Sequence, residues 1–356
     1  MLARIALASD ALSVGGLPPA VANQLHEGLL REIQSHGRLI FLSAPERNAL
    51  VRAVKSEAEL PHTARARWIE TLVFLHKQQR ISVGGSEDDD TLALASVRTL
   101  NDLRRVCAGH VEVAIVSDAA SLPLGLPEDT GLLTDHQAAI EVATPAAVTT
   151  SHTLAKHRRR AERGFSETGS SRDSFWDDVL KPMADGARSA TVLDGYLFRS
   201  LWDMEDNKPW TRNWRTEQVV WLLRNLDSVM APGAEVRLIS SRGQSGGRDV
   251  PTTADIIYGE WEPPTSGSLG RVSISVWEGV GSKLRFPHDR HIRFNYGVAL
   301  QFASGLDRLR ETRITDPDGM SWQYRWDSDA VGALRASERR ALALPGIRTE
   351  VVVERD

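Results

Sequence analysis

The 356-residue chain has one cysteine, Cys107. A single thiol forms no intramolecular disulfide and builds no cysteine-based zinc cluster. It suits a reducing compartment. No apolar run approaches the ~18 residues that a membrane span needs. The opening segment, Met1 to Asp10, has no long apolar stretch and meets an aspartate early, so it reads as a first strand and not as a signal peptide. A cytoplasmic location is the default expectation, with peripheral attachment to a membrane left open. There is no excess of positive charge: 43 Lys and Arg face 47 Asp and Glu, for a net charge of −4. A whole-chain signature of nucleic-acid binding is absent, and only a local basic patch could serve that role. No internal repeat is evident.

What is present is ordinary for a globular α/β protein: 41% hydrophobic and 25% charged residues. The length suits two domains. Tryptophan marks the division. Of the 10 tryptophans only Trp68 precedes residue 170. Between the two compositions lies the basic run Lys156 to Arg163, then a Gly- and Ser-rich stretch to Asp173. The expected division is an α/β domain over 1–165, a linker or helix over 166–188, and a second α/β domain over 189–356.

The first domain alternates strand-like and helix-like segments, the pattern of a Rossmann-like sheet. Arg4 to Ala8 is a short apolar run. Pro18-Pro19 opens a helix that stacks Val21, Leu25, Leu29 and Ile33 on one face and ends at Gly37. Leu39 to Leu42 and Val111 to Val116 read as strands, and Ala44 to Val54 and Thr63 to His76 as helices. Glu87 to Asp90 reads as a solvated acidic loop. Asp10 ends the first strand, Asp118 follows a later one, and Glu46 opens a helix. Carboxylates at the ends of neighbouring parallel strands are what a Mg²⁺-dependent nuclease needs. Asp10, Glu46 and Asp118 are therefore candidate metal ligands, and the pattern vaguely resembles PIN-like nuclease domains. Aspartate is equally common at strand ends and helix N-caps for structural reasons. No other cofactor is expected.

In the second domain, Ala190 to Asp194 reads as a strand, Thr216 to Met230 as an amphipathic helix, and Val236 to Ile239 and Arg271 to Trp277 as strands. Phe286 to Phe302 reads as strand, turn at Asn295-Tyr296-Gly297, and strand. The informative string is His288-Asp289-Arg290-His291-Ile292-Arg293-Phe294-Asn295. Alternate residues of a strand share a face, so His288 and Arg290 meet one ligand together. A guanidinium grips phosphate with paired N–H donors. A neighbouring imidazole donates a hydrogen bond, moves a proton or attacks phosphorus. The bland alternative is a surface strand in which Asp289 pairs with Arg290 or Arg293.

This string resembles the His-x-Lys-x-x-x-x-Asp motif of the phospholipase D superfamily, with its downstream Gly/Ser-x-Asn element. His288 stands at the histidine position, Arg290 at the lysine and Asn295 at the aspartate. Ser304 and Asp307 fall near the downstream element. The strings His288-Asp289-Arg290, Ile292 to Asn295 and Gly305-Leu306-Asp307 are similar to the phospholipase D-like C-terminal domain of MIT-domain proteins. Asp194-Gly195-Tyr196-Leu197 is similar to the segment that opens that domain. The resemblance covers about two fifths of the chain, from Ser189 to Trp326. It implies a phosphate-binding pocket made by His288, Arg290, Arg293, Asn295, Ser304 and Asp307. Active members pair two histidines from two motifs, one as nucleophile and one as acid. This chain has no second His-x-Lys, so catalysis by His288 would need a homodimer. The MIT-type relatives bind phospholipid rather than cleave it.

The expected function is therefore binding of a phosphate or polyanion, with nucleic acid or an anionic phospholipid headgroup as ligand and a homodimer as the working form. By analogy alone, a bacterial defence system with partner proteins from the same operon would suit such a chain. The alternatives are a nuclease or phosphodiesterase, through paired His288 residues or through the first domain with Mg²⁺, and a structural adaptor with a vestigial pocket. Lys283 and Arg285 could add charge beside the motif, and Arg237 and Arg242 border a Gly-rich loop. Gly243 to Gly247 is no P-loop, since no Lys-Ser/Thr follows. Trp322, Tyr324 and Trp326 alternate on a strand and read first as core. The Lys156 to Arg163 run reads either as a solvated helix end or as an anion-binding patch.

Overall fold

A computed structural model describes residues 1–13, 16–56, 60–84, 92–199, 201–202, 217–242, 249–279 and 284–355. The acidic stretch Glu87 to Asp90, Lys283 and the Gly243 to Gly247 loop lie outside the described residues. The chain is α/β throughout and forms two compact units, Met1–Arg159 and Arg160–Asp356.

The first unit has a sheet made of β1 (Ala3–Leu7), β2 (Gly37–Phe41), β3 (Ile81–Val83), β4 (Val113–Ile115), β5 (Leu132–Asp135) and β6 (Ile140–Ala143). Their order is β3-β2-β1-β4-β6-β5, a Rossmann-like order, and only β5 runs antiparallel to its neighbour. β4 is wholly apolar, and β1, β2 and β6 are apolar but for one charged residue each, Arg4, Arg38 and Glu141, as suits a parallel sheet covered on both faces. Ile5, Leu39, Val113 and Val142 are buried with Trp68 in one core. Helix Pro19–His36 passes into β2 with no loop between. Gly37 makes this junction: a Cβ there would stand 2.8 Å from the Ile33 carbonyl oxygen. The helices expected near 44–54 and 63–76 are Ala44–Lys55 and His62–Lys77. Ser43 caps the first with its hydroxyl on the Glu46 amide.

The second unit has β7 (Phe165–Ser166), β8 (Ser189–Leu193), β9 (Ala234–Ser241), β10 (Leu269–Trp277), β11 (His291–Phe294), β12 (Val298–Phe302), β13 (Met320–Arg325) and β14 (Ile347–Glu354). Their order is β14-β10-β9-β8-β11-β12-β13-β7. β8, β9 and β10 are parallel, whereas β11, β12 and β13 form an antiparallel meander on the far side of β8. The stretch 166–188, expected as a linker or helix, folds into this unit. β7 pairs with β13, and the Arg172 guanidinium donates to the Leu309 carbonyl at 3.0 Å. The unit thus begins ahead of residue 165 because the chain from Arg160 onward finds its partners there.

Helix Ser328–Leu342 lies on one face of this sheet, where Ala341 packs with Leu193, Ile239 and Phe286. Helix Glu217–Val229 packs on helix Val250–Trp261. Trp322 is core: it is buried, with its ring 5.0 Å from that of Phe175.

Candidate functional site

The parallel strands of the second unit all end at one edge of the sheet. β11 is antiparallel to β8, so its N-terminal lead-in reaches that same edge, and so does the C-terminal end of β12. From β8 the chain next builds β9 on one side and later β11 on the other. An open α/β sheet binds ligands at such a reversal of order, outside the carboxyl ends of its strands. Asp194 follows β8 here, Arg290 precedes β11, and Ser304 to Asp307 follow β12.

Arg290 is tied in place. Its guanidinium donates to the Ala303 carbonyl at 3.0 Å, and its Nε stands 3.9 Å from an Asp194 carboxylate oxygen. It also lies over the Tyr196 ring, 5.7 Å from the centroid. Its side chain keeps 25% of its surface in solvent. Asp194 is 1% exposed, and its two oxygens accept the Tyr196 and Leu306 amides at 2.9 and 2.8 Å. Burial raises the Asp194 carboxyl above the ordinary aspartate range, against the pull of those two amides and of Arg290, and Asp307 adds to the rise. Asp194 is thus an internal brace, while Arg290, Tyr196, His288 and Asp307 present surface to solvent. Gly305 lets the Asp307 carboxylate approach: a Cβ would stand 2.4 Å from it, so Asp307 would have to turn away, and 3.2 Å from that of Asp194.

The strand expected from Phe286 begins only at His291, so His288, Asp289 and Arg290 lie in the extended lead-in ahead of it. Arg290 takes one face, and Asp289, His291 and Arg293 take the other. On that other face the partners are not those expected. Asp289 accepts the Ser337 hydroxyl. His291 is fully buried, with Nε2 2.9 Å from Glu338. Arg293 does not reach the phosphate pocket. Its Nε and one Nη donate to the two Glu338 oxygens at 2.8 and 2.6 Å, and the same Nη reaches Thr191. Asn295 is also removed from the pocket. It lies beyond the opposite end of β11, where its side-chain oxygen accepts the Arg188 and Ser189 amides at 2.9 and 3.3 Å. Five residues of extended chain separate it from Arg290, roughly 16 Å at ~3.3 Å per residue. Of the sequence-predicted group, the fold gathers His288, Arg290, Ser304 and Asp307 at one sheet edge. Asp194 and Tyr196 join them. Aspartate at the end of a buried strand was their signal in the sequence.

The first unit also brings carboxylates to a strand reversal, between β1 and β4. Asp10 accepts the Ser117 hydroxyl at 2.7 Å, so Asp10 and the residue before Asp118 meet. Glu46 does not join them as a ligand. It is buried, and its oxygens accept the Leu42 and Leu94 amides at 2.7 and 2.9 Å. Burial raises its carboxyl, with those two amides pulling the other way. Among the described residues, no group of three His, Cys, Asp or Glu is arranged to hold a metal.

The basic run lies in helix His152–Arg163, and half of it is paired. Arg158 bonds Glu32, Arg160 bonds Asp178, and His157 stands 3.4 Å from Glu112. Glu141 holds the start of this helix, accepting the His152 and Thr153 amides at 2.9 and 2.8 Å. Arg237 and Arg285 are exposed. No helix of the described residues is long and apolar enough to cross a membrane.

Compared with protein-family models and with curated proteins, the chain matches none.

Proposed function

We propose that the second unit is a phosphate-recognition module of phospholipase D-like type and that Arg290 is its principal donor. The observation that carries this reading is the setting of Arg290. A braced guanidinium with free surface stands at the reversal edge of the sheet, two residues along the chain from exposed His288. Bracing removes much of the rotamer entropy that an arginine otherwise loses on binding. The Asp194 carboxylate is already engaged by two amides, which reduces its repulsion of an incoming anion. Tyr196, 46% exposed under the guanidinium, offers a flat apolar wall beside the charge. The ligand in this reading is a phosphodiester, from nucleic acid or from an anionic phospholipid headgroup.

The test is binding of fluorescent single-stranded DNA, duplex DNA and RNA, and of phosphatidylserine vesicles, by wild type, His288→Ala and Arg290→Ala. We expect saturable binding of one of these that weakens about tenfold or more in Arg290→Ala, the scale of a lost charge-assisted hydrogen bond. Equal binding by wild type and Arg290→Ala would overturn the reading. Cleavage that survives EDTA and disappears in His288→Ala would instead make the site a phosphodiesterase.

A further inference from the structure

On the helix-covered face of the second unit there is a cavity of about 580 Å³. This is the size range of small-molecule sites. Its floor comes from Gln301 of β12 and Arg325 of β13, and its wall from one side of helix Ser328–Leu342. The wall is made of small residues: Ala330, Ala333 and Ala336, with Leu334 beside them. Larger side chains at these positions would close the space.

The charges around this cavity are not balanced. Asp289 lines it, but that carboxylate accepts the Ser337 hydroxyl and lies 3.9 Å from Arg340. Arg325 has no such counter-charge. Its Nε donates to the Gln301 side-chain oxygen at 3.1 Å and one Nη to that of Gln323. Among the described residues no carboxylate lies within 4.0 Å of its guanidinium. Neutral amides orient the guanidinium without cancelling its charge, and one Nη remains for a ligand. Arg340, 68% exposed at the rim, offsets Asp289, which leaves Arg325 as the uncompensated charge.

We infer that this cavity is a second binding site, for a small organic anion whose carboxylate or phosphate group bonds Arg325 and whose apolar body lies on the alanine wall. It is separate from the Arg290 edge. Asp289 turns to Ser337 of the covering helix, whereas Arg290 turns to the Ala303 carbonyl and Asp194, neither of which lines the cavity. The inference does not rest on the phosphate-recognition reading.

The test is calorimetric titration of the full chain with benzoate and with phenyl phosphate, using benzyl alcohol as the uncharged control. Wild type, Arg325→Gln, Ala333→Leu and Arg290→Ala are compared, with Tm as the check on folding. We expect saturable binding of at least one anion and none of benzyl alcohol. Binding should weaken tenfold or more in Arg325→Gln and in Ala333→Leu, while phenyl phosphate binding that persists in those variants and disappears in Arg290→Ala belongs to the Arg290 edge. Should Arg325→Gln fail to fold, Ala333→Leu carries the test alone, because residue 333 is an exposed helix position. The relative strength of the two anions assigns the group as carboxylate or phosphate. Absence of binding, binding indifferent to both cavity variants, or binding lost only in Arg290→Ala would overturn the inference. The last outcome would still leave the Arg290 site standing.

Discussion

Glu338 takes two parallel hydrogen bonds from Arg293, at 2.8 and 2.6 Å, and also stands 2.9 Å from the buried His291. This arrangement turns a residue that the motif suggests for phosphate into a fastener between β11 and the covering helix. Burial raises the Glu338 carboxyl, but the bonds from His291 and Arg293 outweigh this and hold it below the ordinary glutamate range.

Glu338→Ala should therefore be costly. It leaves the Arg293 guanidinium, 14% exposed, without its carboxylate. The expected loss is about 3–5 kcal/mol, the scale for breaking one side of a buried pair. Urea unfolding measures it. A loss below about 1 kcal/mol would mean that water replaces the pair, as at a surface.

Asn295 and Arg290 should separate stability from binding. Asn295→Ala removes an acceptor from the Arg188 and Ser189 amides. It should lower stability by about 1–2 kcal/mol and leave anion binding unchanged. Arg290→Ala should do the reverse. Binding assays and thermal melts on both variants check the pair, and loss of binding in Asn295→Ala would put Asn295 back at the site.

Acid should weaken the first unit through Glu112. Burial raises this carboxyl, but the bond and charge of His157, with the amide and charge of Arg4, bring it from 4.5 down to about 2. A carboxyl held lower in the folded state than in the unfolded one stabilises the fold fully above the unfolded value. That contribution disappears as pH falls from about 4.5 to about 2. Glu112→Gln should flatten the dependence of Tm on pH in this window. An unchanged slope would show that other carboxylates dominate.

Cys107 should be inert in the folded chain. Burial, with the nearby Glu46 charge, pushes its thiol up to about 12. The thiolate is the reactive form. Ellman's reagent should therefore react within minutes only after denaturant is added. Rapid reaction of the native protein would show that the core around Cys107 opens.

Much of the architecture is legible in the sequence because it depends on local pattern. Helical spacing from Pro19 to Ile33, apolar runs such as Val236 to Ile239, and the Asn295-Tyr296-Gly297 turn all correspond to elements of the structure. Alternation within β11 also determines that His291 and Arg293 share a face. It does not say what stands across from that face. Glu338 lies 45 residues from Arg293, and Leu306 lies 112 residues from Asp194. Only the docking of helix Ser328–Leu342 gives Arg293 its carboxylate, and only the length of β11 carries Asn295 away from Arg290. Glu46 reads as a ligand by position, yet the amides of Leu42 and Leu94 claim its oxygens once the loops pack. Short-range periodicity sets an element's faces. Burial then forces every polar group on those faces to find a partner, and tertiary structure alone decides which.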